Sequence, residues 1–168
     1  MEYGGANWRQ EGPLWEWEER VAPMPLFLGT HPLRLDDKGR LFLPAKYRDD
    51  LAAGLVVTRG QEHCLYVFTA AHFARLAEGF SAAPFTSAPA RDLHRLFFSG
   101  AFDEVPDKTG RVTVPAQLRA YADLDRDVMV IGAGDRLEVW DAPTWDAWLA
   151  TNEDAFSALS SAEVVPGP

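Results

Sequence analysis

Asp36-Asp37-Lys38-Gly39-Arg40-Leu41-Phe42-Leu43-Pro44-Ala45-Lys46-Tyr47-Arg48 returns later in the chain as Asp107-Lys108-Thr109-Gly110-Arg111-Val112-Thr113-Val114-Pro115-Ala116-Gln117-Leu118-Arg119. The two stretches align without a gap and share six residues: Asp36 with Asp107, Gly39 with Gly110, Arg40 with Arg111, Pro44 with Pro115, Ala45 with Ala116 and Arg48 with Arg119. Both keep an apolar-x-apolar triplet before the proline. Such density of identity marks a duplicated unit. The correspondence continues outward, Leu55-Val56-Val57-Thr58-Arg59-Gly60 answering to Val128-Met129-Val130-Ile131-Gly132, and Leu65-Tyr66-Val67-Phe68 to Leu137-Glu138-Val139-Trp140. Phe73 and Leu76 answer to Trp145 and Trp148. Each half reads turn, strand, helix start, strand, turn, strand, helix, so any function must account for two copies.

Local chemistry supports each step. Short extended segments are expected at Leu26-Phe27-Leu28-Gly29 and Leu33-Arg34-Leu35. Asp36 to Gly39 is a turn signature, the aspartate bonding back to the backbone and the glycine accepting positive φ. Leu41 and Leu43 alternate about Phe42 as a strand that Pro44 ends. Pro44 then opens a helix from Ala45 to Leu51, closed near Gly54. Leu55–Thr58 and Cys64–Phe68 make a hairpin, and Thr69 caps a helix with Phe73 and Leu76 on one face. A helix from Ala90 to about Ser99 is expected to turn Leu93, Leu96 and Phe97 inward. The second hairpin turns at Gly132-Ala133-Gly134-Asp135. Asp141 caps the last helix, with Pro143 in its first turn and Trp145, Trp148 and Leu149 in the core.

The organisation expected is an acidic, Trp-bearing extension over residues 1–24, repeat 1 over 26–78, a linker and helix over 79–101, repeat 2 over 102–150 and a flexible tail over 151–168. Trp8, Trp15 and Trp17 give the extension two readings: an arm that orders on contact, or a segment that packs. Met24, just before the body, is an alternative start.

A chain of 168 residues with 47% hydrophobic content suits one core, or two small interlocked ones. The lone Cys64 excludes an internal disulfide and suits a reducing compartment. Neither a transmembrane run nor a signal peptide is visible, so a soluble, cytoplasmic protein is expected. The net charge of −9 argues against nucleic acid as partner. Its distribution argues otherwise. The extension and tail carry roughly six of those negative charges. The motifs are basic, with Lys38, Arg40, Lys46 and Arg48 in one and Lys108, Arg111 and Arg119 in the other.

Enzyme chemistry finds no foothold. His31, His63, His72 and His94 lack metal-ligand spacing, and no cofactor or metal is expected. There is no G-x-S-x-G, P-loop or full G-x-G-x-x-G, and Gly132-Ala133-Gly134 reads as a hairpin turn. Asp36 and Asp107 suit holding the arginine four residues on, or capping the turn, better than acid–base work. Arg40 and Arg111 open a strand directly after a tight turn, so their guanidinium groups stand at the sheet margin. Two roles are open to them: stiffening the turn through the aspartate, or contacting phosphates and base edges. The two are compatible, because an aspartate that orients an arginine makes it a better reader. Lys46, Arg48 and Arg119 fall on short helices, where solvated surface is the default. A pseudo-twofold protein also fits pseudo-repeated DNA, one basic loop per half-site.

The duplicated D-x-x-x-R followed by the apolar-x-apolar-Pro strand end, Asp36 to Pro44 and Asp107 to Pro115, resembles the MraZ family. Each half is similar to the AbrB-like swapped-hairpin DNA-binding module. The resemblance spans Leu26 to Leu149 and implies an α+β, β-rich fold: two half-repeats forming an interlocked swapped-hairpin β-barrel flanked by helices. It implies a transcriptional regulator on the bacterial nucleoid, a ring-like homo-oligomer binding short direct repeats in double-stranded DNA upstream of the division and cell-wall gene cluster. The family's arginines map onto Arg40 and Arg111 and its aspartates onto Asp36 and Asp107. The DNA-binding set expected is Lys38, Arg40, Arg48, Lys108, Arg111 and Arg119, braced by Asp36, Gly39, Asp107 and Gly110. No membrane or small-molecule substrate is expected. The extension departs from the family pattern and would be placed to cap or block a subunit interface. The competing reading is an antitoxin-like or scaffold protein that binds a protein partner.

Overall fold

The computed structural model describes residues 24–82 and 85–160; the extension expected before Met24 and residues 161–168 of the expected tail lie outside the described residues. The first repeat supplies β1 (Thr30–Arg34), β2 (Arg40–Phe42), a 3-10 turn (Ala45–Tyr47) running into α1 (Arg48–Leu51), β3 (Leu55–Arg59), β4 (Leu65–Thr69) and α2 (Ala70–Ser81). After α3 (Ala88–Ser99), the second supplies β5 (Phe102–Glu104), β6 (Arg111–Thr113), α4 (Ala116–Tyr121), β7 (Asp127–Gly132), β8 (Leu137–Asp141) and α5 (Ala142–Ser157). The structure is α+β and dominated by antiparallel sheet.

The strands pair across the duplication. β1 of the first repeat pairs with β7 of the second, and β5 of the second with β3 of the first. The sheet order β1-β7-β8-β4-β3-β5 therefore reads the same from either end once the repeats are exchanged. Its centre is the β4–β8 pair, where Leu65 faces Val139 and Val67 faces Leu137. β2 and β6 form a separate ribbon, with Arg40 facing Thr113, Leu41 facing Val112 and Phe42 facing Arg111.

Alternation along these strands builds the core. Leu41, Leu43, Val112 and Val114 point from the ribbon onto Leu55, Val57, Leu65, Val67, Val128, Val130, Leu137 and Val139, all buried in one apolar cluster. The ribbon is a lid on the six-stranded sheet. The sheet's other face is covered by helices. Trp140 packs on Trp145 and Trp148, and Phe68 on Phe73 and Phe97. Caps expected from sequence are formed: the Thr69 side chain accepts from the His72 N–H at 3.1 Å, and Asp141 from Thr144 at 3.2 Å.

Three expectations need correction. Phe97 faces inward as expected, but Leu93 and Leu96 are 50% and 58% exposed, because α3 turns His94 and Phe98 inward beside Phe97, onto Phe73 and Phe80. Aromatic stacking selected a stripe one residue away from the leucines. The helix after Pro44 begins as a 3-10 turn, fastened by Tyr47, whose hydroxyl donates to the Leu28 carbonyl and accepts the Leu28 N–H. The tail is helical as far as Ser157, where Asn152 Nδ2 donates to the Trp148 carbonyl at 2.7 Å.

Candidate nucleic-acid interface

Each D-x-x-x-R stretch closes into the same hydrogen-bonded loop. Asp36 Oδ1 accepts from the backbone N–H groups of Lys38 and Arg40, both at 2.9 Å, while Oδ2 accepts from Arg40 Nε at 2.6 Å. Asp107 Oδ1 accepts from Thr109 and Arg111 N–H at 2.9 Å and from the Thr109 hydroxyl at 2.7 Å, and Oδ2 from Arg111 Nε at 2.7 Å. A backbone bond closes each turn, from Gly39 N–H to Asp36 O and from Gly110 N–H to Asp107 O, both 2.9 Å. Gly39 and Gly110 hold φ of +73° and +81°, the left-handed region that the sequence demanded of them.

These bonds fix the carboxylates as charged. The Arg40 N–H leads the effects that hold Asp36 below the usual carboxylate range, and the Arg111 N–H, followed by the Thr109 hydroxyl, holds Asp107 further down still. Both aspartates thus pair with their arginines. Only Nε of each guanidinium is engaged: no hydrogen bond to Nη1 or Nη2 of Arg40 or Arg111 is made among the described residues. The outer edge of each fork, suited to bidentate contact with phosphate or guanine, is left open.

The ribbon brings the two arginines together. Period-two alternation sends Leu41 and Val112 inward and leaves Arg40, Phe42, Arg111 and Thr113 on the outward face. The two glycine turns sit at opposite ends of this ribbon, about 14 Å apart at 3.4 Å per residue. Lys38 and Lys108 are exposed in the turns. Arg48 and Arg119 are not simple solvated surface. Arg48 Nε donates to the Leu43 carbonyl at 3.1 Å and its side chain lies over Gly110; Arg119 lies over Gly39. Each repeat's short helix therefore supports the other repeat's turn.

Two participants escaped the sequence reading. Phe42 is 46% exposed on the outward face, with Arg111 Cζ 5.8 Å from its ring centroid. The alternation Arg40-Leu41-Phe42 was the signal available. Both carboxylate oxygens of Glu104 accept the Thr113 N–H at 2.9 Å, a contact no motif announces. Among the described residues no group of three or more His, Cys, Asp or Glu side chains could hold a metal ion, and no helix is long and apolar enough to cross a membrane.

A duplicated antiparallel fold that displays two Asp-braced arginines on one exposed ribbon defines a tandem-repeat binding module. Comparison with known proteins makes this specific. Residues 26–96 and 97–165 each match the family described as "MraZ protein, putative antitoxin-like". Relatives named "Transcriptional regulator MraZ" from Kocuria rhizophila and Micrococcus luteus are each 60% identical over 142 residues, 84% of this chain and 99% of the relative. One of the same name from Thermobifida fusca is 58% identical with the same coverage. The chain belongs to the MraZ family.

Proposed function

We propose that this chain is a sequence-specific, DNA-binding transcriptional regulator acting as a ring-like homo-oligomer on short direct repeats upstream of its own gene, in the division and cell-wall cluster, on the nucleoid. The observation that carries the reading is the pair of arginines held by Nε on one ribbon, their outer amino groups unengaged among the described residues. Arg40 and Arg111 would take base edges. Lys38 and Lys108 would take phosphates, and Arg48 and Arg119 would hold the turns in register. The relatives' printed names and the family membership support the same reading. The exchange of β1 and β5 between repeats supports an interlocked, swapped-hairpin architecture.

The net charge of −9 is offset by geometry rather than composition. A ring would present many basic turns on one face, so that modest affinity per turn becomes avidity. Fluorescence anisotropy on the gene's own upstream duplex and on a scramble, across a salt series, tests the proposal. Tight, salt-sensitive binding that prefers the native repeats is expected. Equal weak binding to both duplexes would overturn it and favour a protein partner, the role that the family's antitoxin-like description admits.

A further inference from the structure

The ribbon's pseudo-twofold passes between Leu41 and Val112, and a symmetric ribbon would read inverted half-sites alike. Its outward face is not symmetric. The mate of Phe42 is Thr113. At one corner Arg111 stands over the Phe42 ring, with Lys108 in the adjoining turn. At the other corner Arg40 faces Thr113, whose N–H is taken by Glu104. The residue corresponding to Glu104 in the first repeat is Leu33, and the residue corresponding to Lys108 is Asp37, which pairs with Arg126 at 2.7 Å. Beyond the bracing aspartate that both share, the first corner adds Lys108 and an exposed ring, and the second adds Asp37 and Glu104.

Resting on the DNA-binding reading above, we propose that the ribbon reads the duplex in one orientation, with Phe42 seating a thymine methyl beside a guanine edge taken by Arg111. The core beneath the ribbon is filled by Leu41 and Val112, and Phe42, 46% exposed, stands outside that cluster on the outward face. On the major-groove floor the thymine C5-methyl is the apolar group a phenyl can cover, and guanine offers Arg its bidentate O6 and N7. The Arg111 guanidinium is positioned for both neighbours by Asp107 on one edge and the Phe42 ring below. Thr113 with Glu104 supplies no comparable apolar surface. The asymmetry gives each protomer a direction on DNA, which suits direct rather than inverted repeats.

The test is a deoxyuridine scan of the upstream duplex with the full-length protein, reading anisotropy for wild type, Phe42→Ala and Phe42→Leu. Replacing thymine by uracil removes only the methyl. Wild type is expected to lose roughly 3- to 5-fold in affinity at one thymine per repeat, the worth of one buried methyl. Phe42→Ala should bind the thymine duplex more weakly and be indifferent to uracil there, and Phe42→Leu should keep part of the discrimination. Wild-type preference for its repeats with no uracil-sensitive position would overturn this proposal alone, as would an equal loss for Phe42→Ala on both duplexes. A wild type that fails to distinguish its repeats from a scramble would overturn the DNA reading, and this proposal with it.

Discussion

Arg119 of the second repeat lies over Gly39 of the first, and a β-carbon on Gly39 would collide with its guanidinium; Arg48 lies over Gly110 in the same way, its Nε 2.7 Å from where that β-carbon would stand. The two turns are thus locked by arginines from the opposite repeat. Alanine at either glycine must take a left-handed backbone that costs an L-residue about 1–2 kcal/mol. It must also displace the arginine. Gly39→Ala and Gly110→Ala should each lower the unfolding free energy by more than that backbone cost of about 1–2 kcal/mol in denaturant titrations. Combining Gly39→Ala with Arg119→Ala should cost less than the sum of the two, because the collision has gone while the backbone strain remains. Strict additivity would mean that the arginine does not press on the turn.

Arg40→Ala and Arg111→Ala should each weaken DNA binding while leaving the fold intact. Losing one bidentate contact is worth about 1–3 kcal/mol, so a loss between about 5- and 150-fold is expected at each site. Both ion pairs are partly solvated, and stability should change by about 1 kcal/mol or less. Arg→Lys at either position should not rescue binding. A single ammonium cannot hold the aspartate and present two further donors outward. Unfolding of either alanine variant would instead assign the arginine a purely structural role.

The pH dependence follows from the aspartates. Their folded-state pKa values lie below the ordinary 3.8, so their contribution to stability is fully present above that value and is lost as pH falls toward the folded values. Thermal stability should therefore fall as pH drops below about 4, where both aspartates begin to take up protons. Asp36→Asn and Asp107→Asn should each flatten that limb. If the double variant kept the wild-type acid profile, other carboxylates would govern it.

The duplication, the glycine turns and the helix caps were legible in the sequence because each is decided within a few residues, whereas the spacing left open whether each aspartate holds its arginine or only caps the turn, and in the structure it does both. Asp36 reaches Arg40 inside one turn, and Thr69 reaches His72 inside one helical turn. The exchange of strands was less legible. Nothing local in Thr30–Arg34 says that its partner is Asp127–Gly132 rather than a strand of its own repeat; that choice is made by which pairing buries the sheet's inner face. Arg48 and Arg119 looked like solvated helix residues for the same reason, since the glycines they cover lie in the other repeat. Leu93 and Leu96 misled because helical spacing alone cannot rank a leucine stripe against the aromatic one beside it.

Cys64 offers a probe of the helix-covered side of the sheet. It is buried, its Sγ donates to the Gln61 carbonyl at 3.1 Å, and burial, with the nearby Glu138 carboxylate, pushes its thiol far up. Glu138 is itself held by Arg136 Nη2 at 2.7 Å and Trp140 Nε1 at 3.0 Å. The native thiol should resist alkylation at pH 8, with modification appearing only as denaturant opens the structure. Arg136→Ala would leave Glu138 without its cation and remove the charge that opposes the rise, so the thiol should label no faster in native buffer while the structure stays closed. Prompt labelling of the wild type would contradict this buried arrangement.

Lysines and arginines of the interface should separate by salt and by sequence. Lys38 and Lys108 are exposed in the turns, and neither is held by an ion pair among the described residues. A lysine that only neutralises a phosphate contributes equally on every duplex. Lys108→Ala should thus weaken binding to native and scrambled DNA alike and lower the salt slope by about one. Arg111→Ala should instead narrow the gap between the two duplexes. Lys38→Ala should have the smaller effect of the two lysines, because its turn also carries Asp37, whereas Lys108 stands at the corresponding place in the other. Equal slopes for both lysine variants would mean that the two turns meet the backbone alike, and the ribbon would then carry no electrostatic direction.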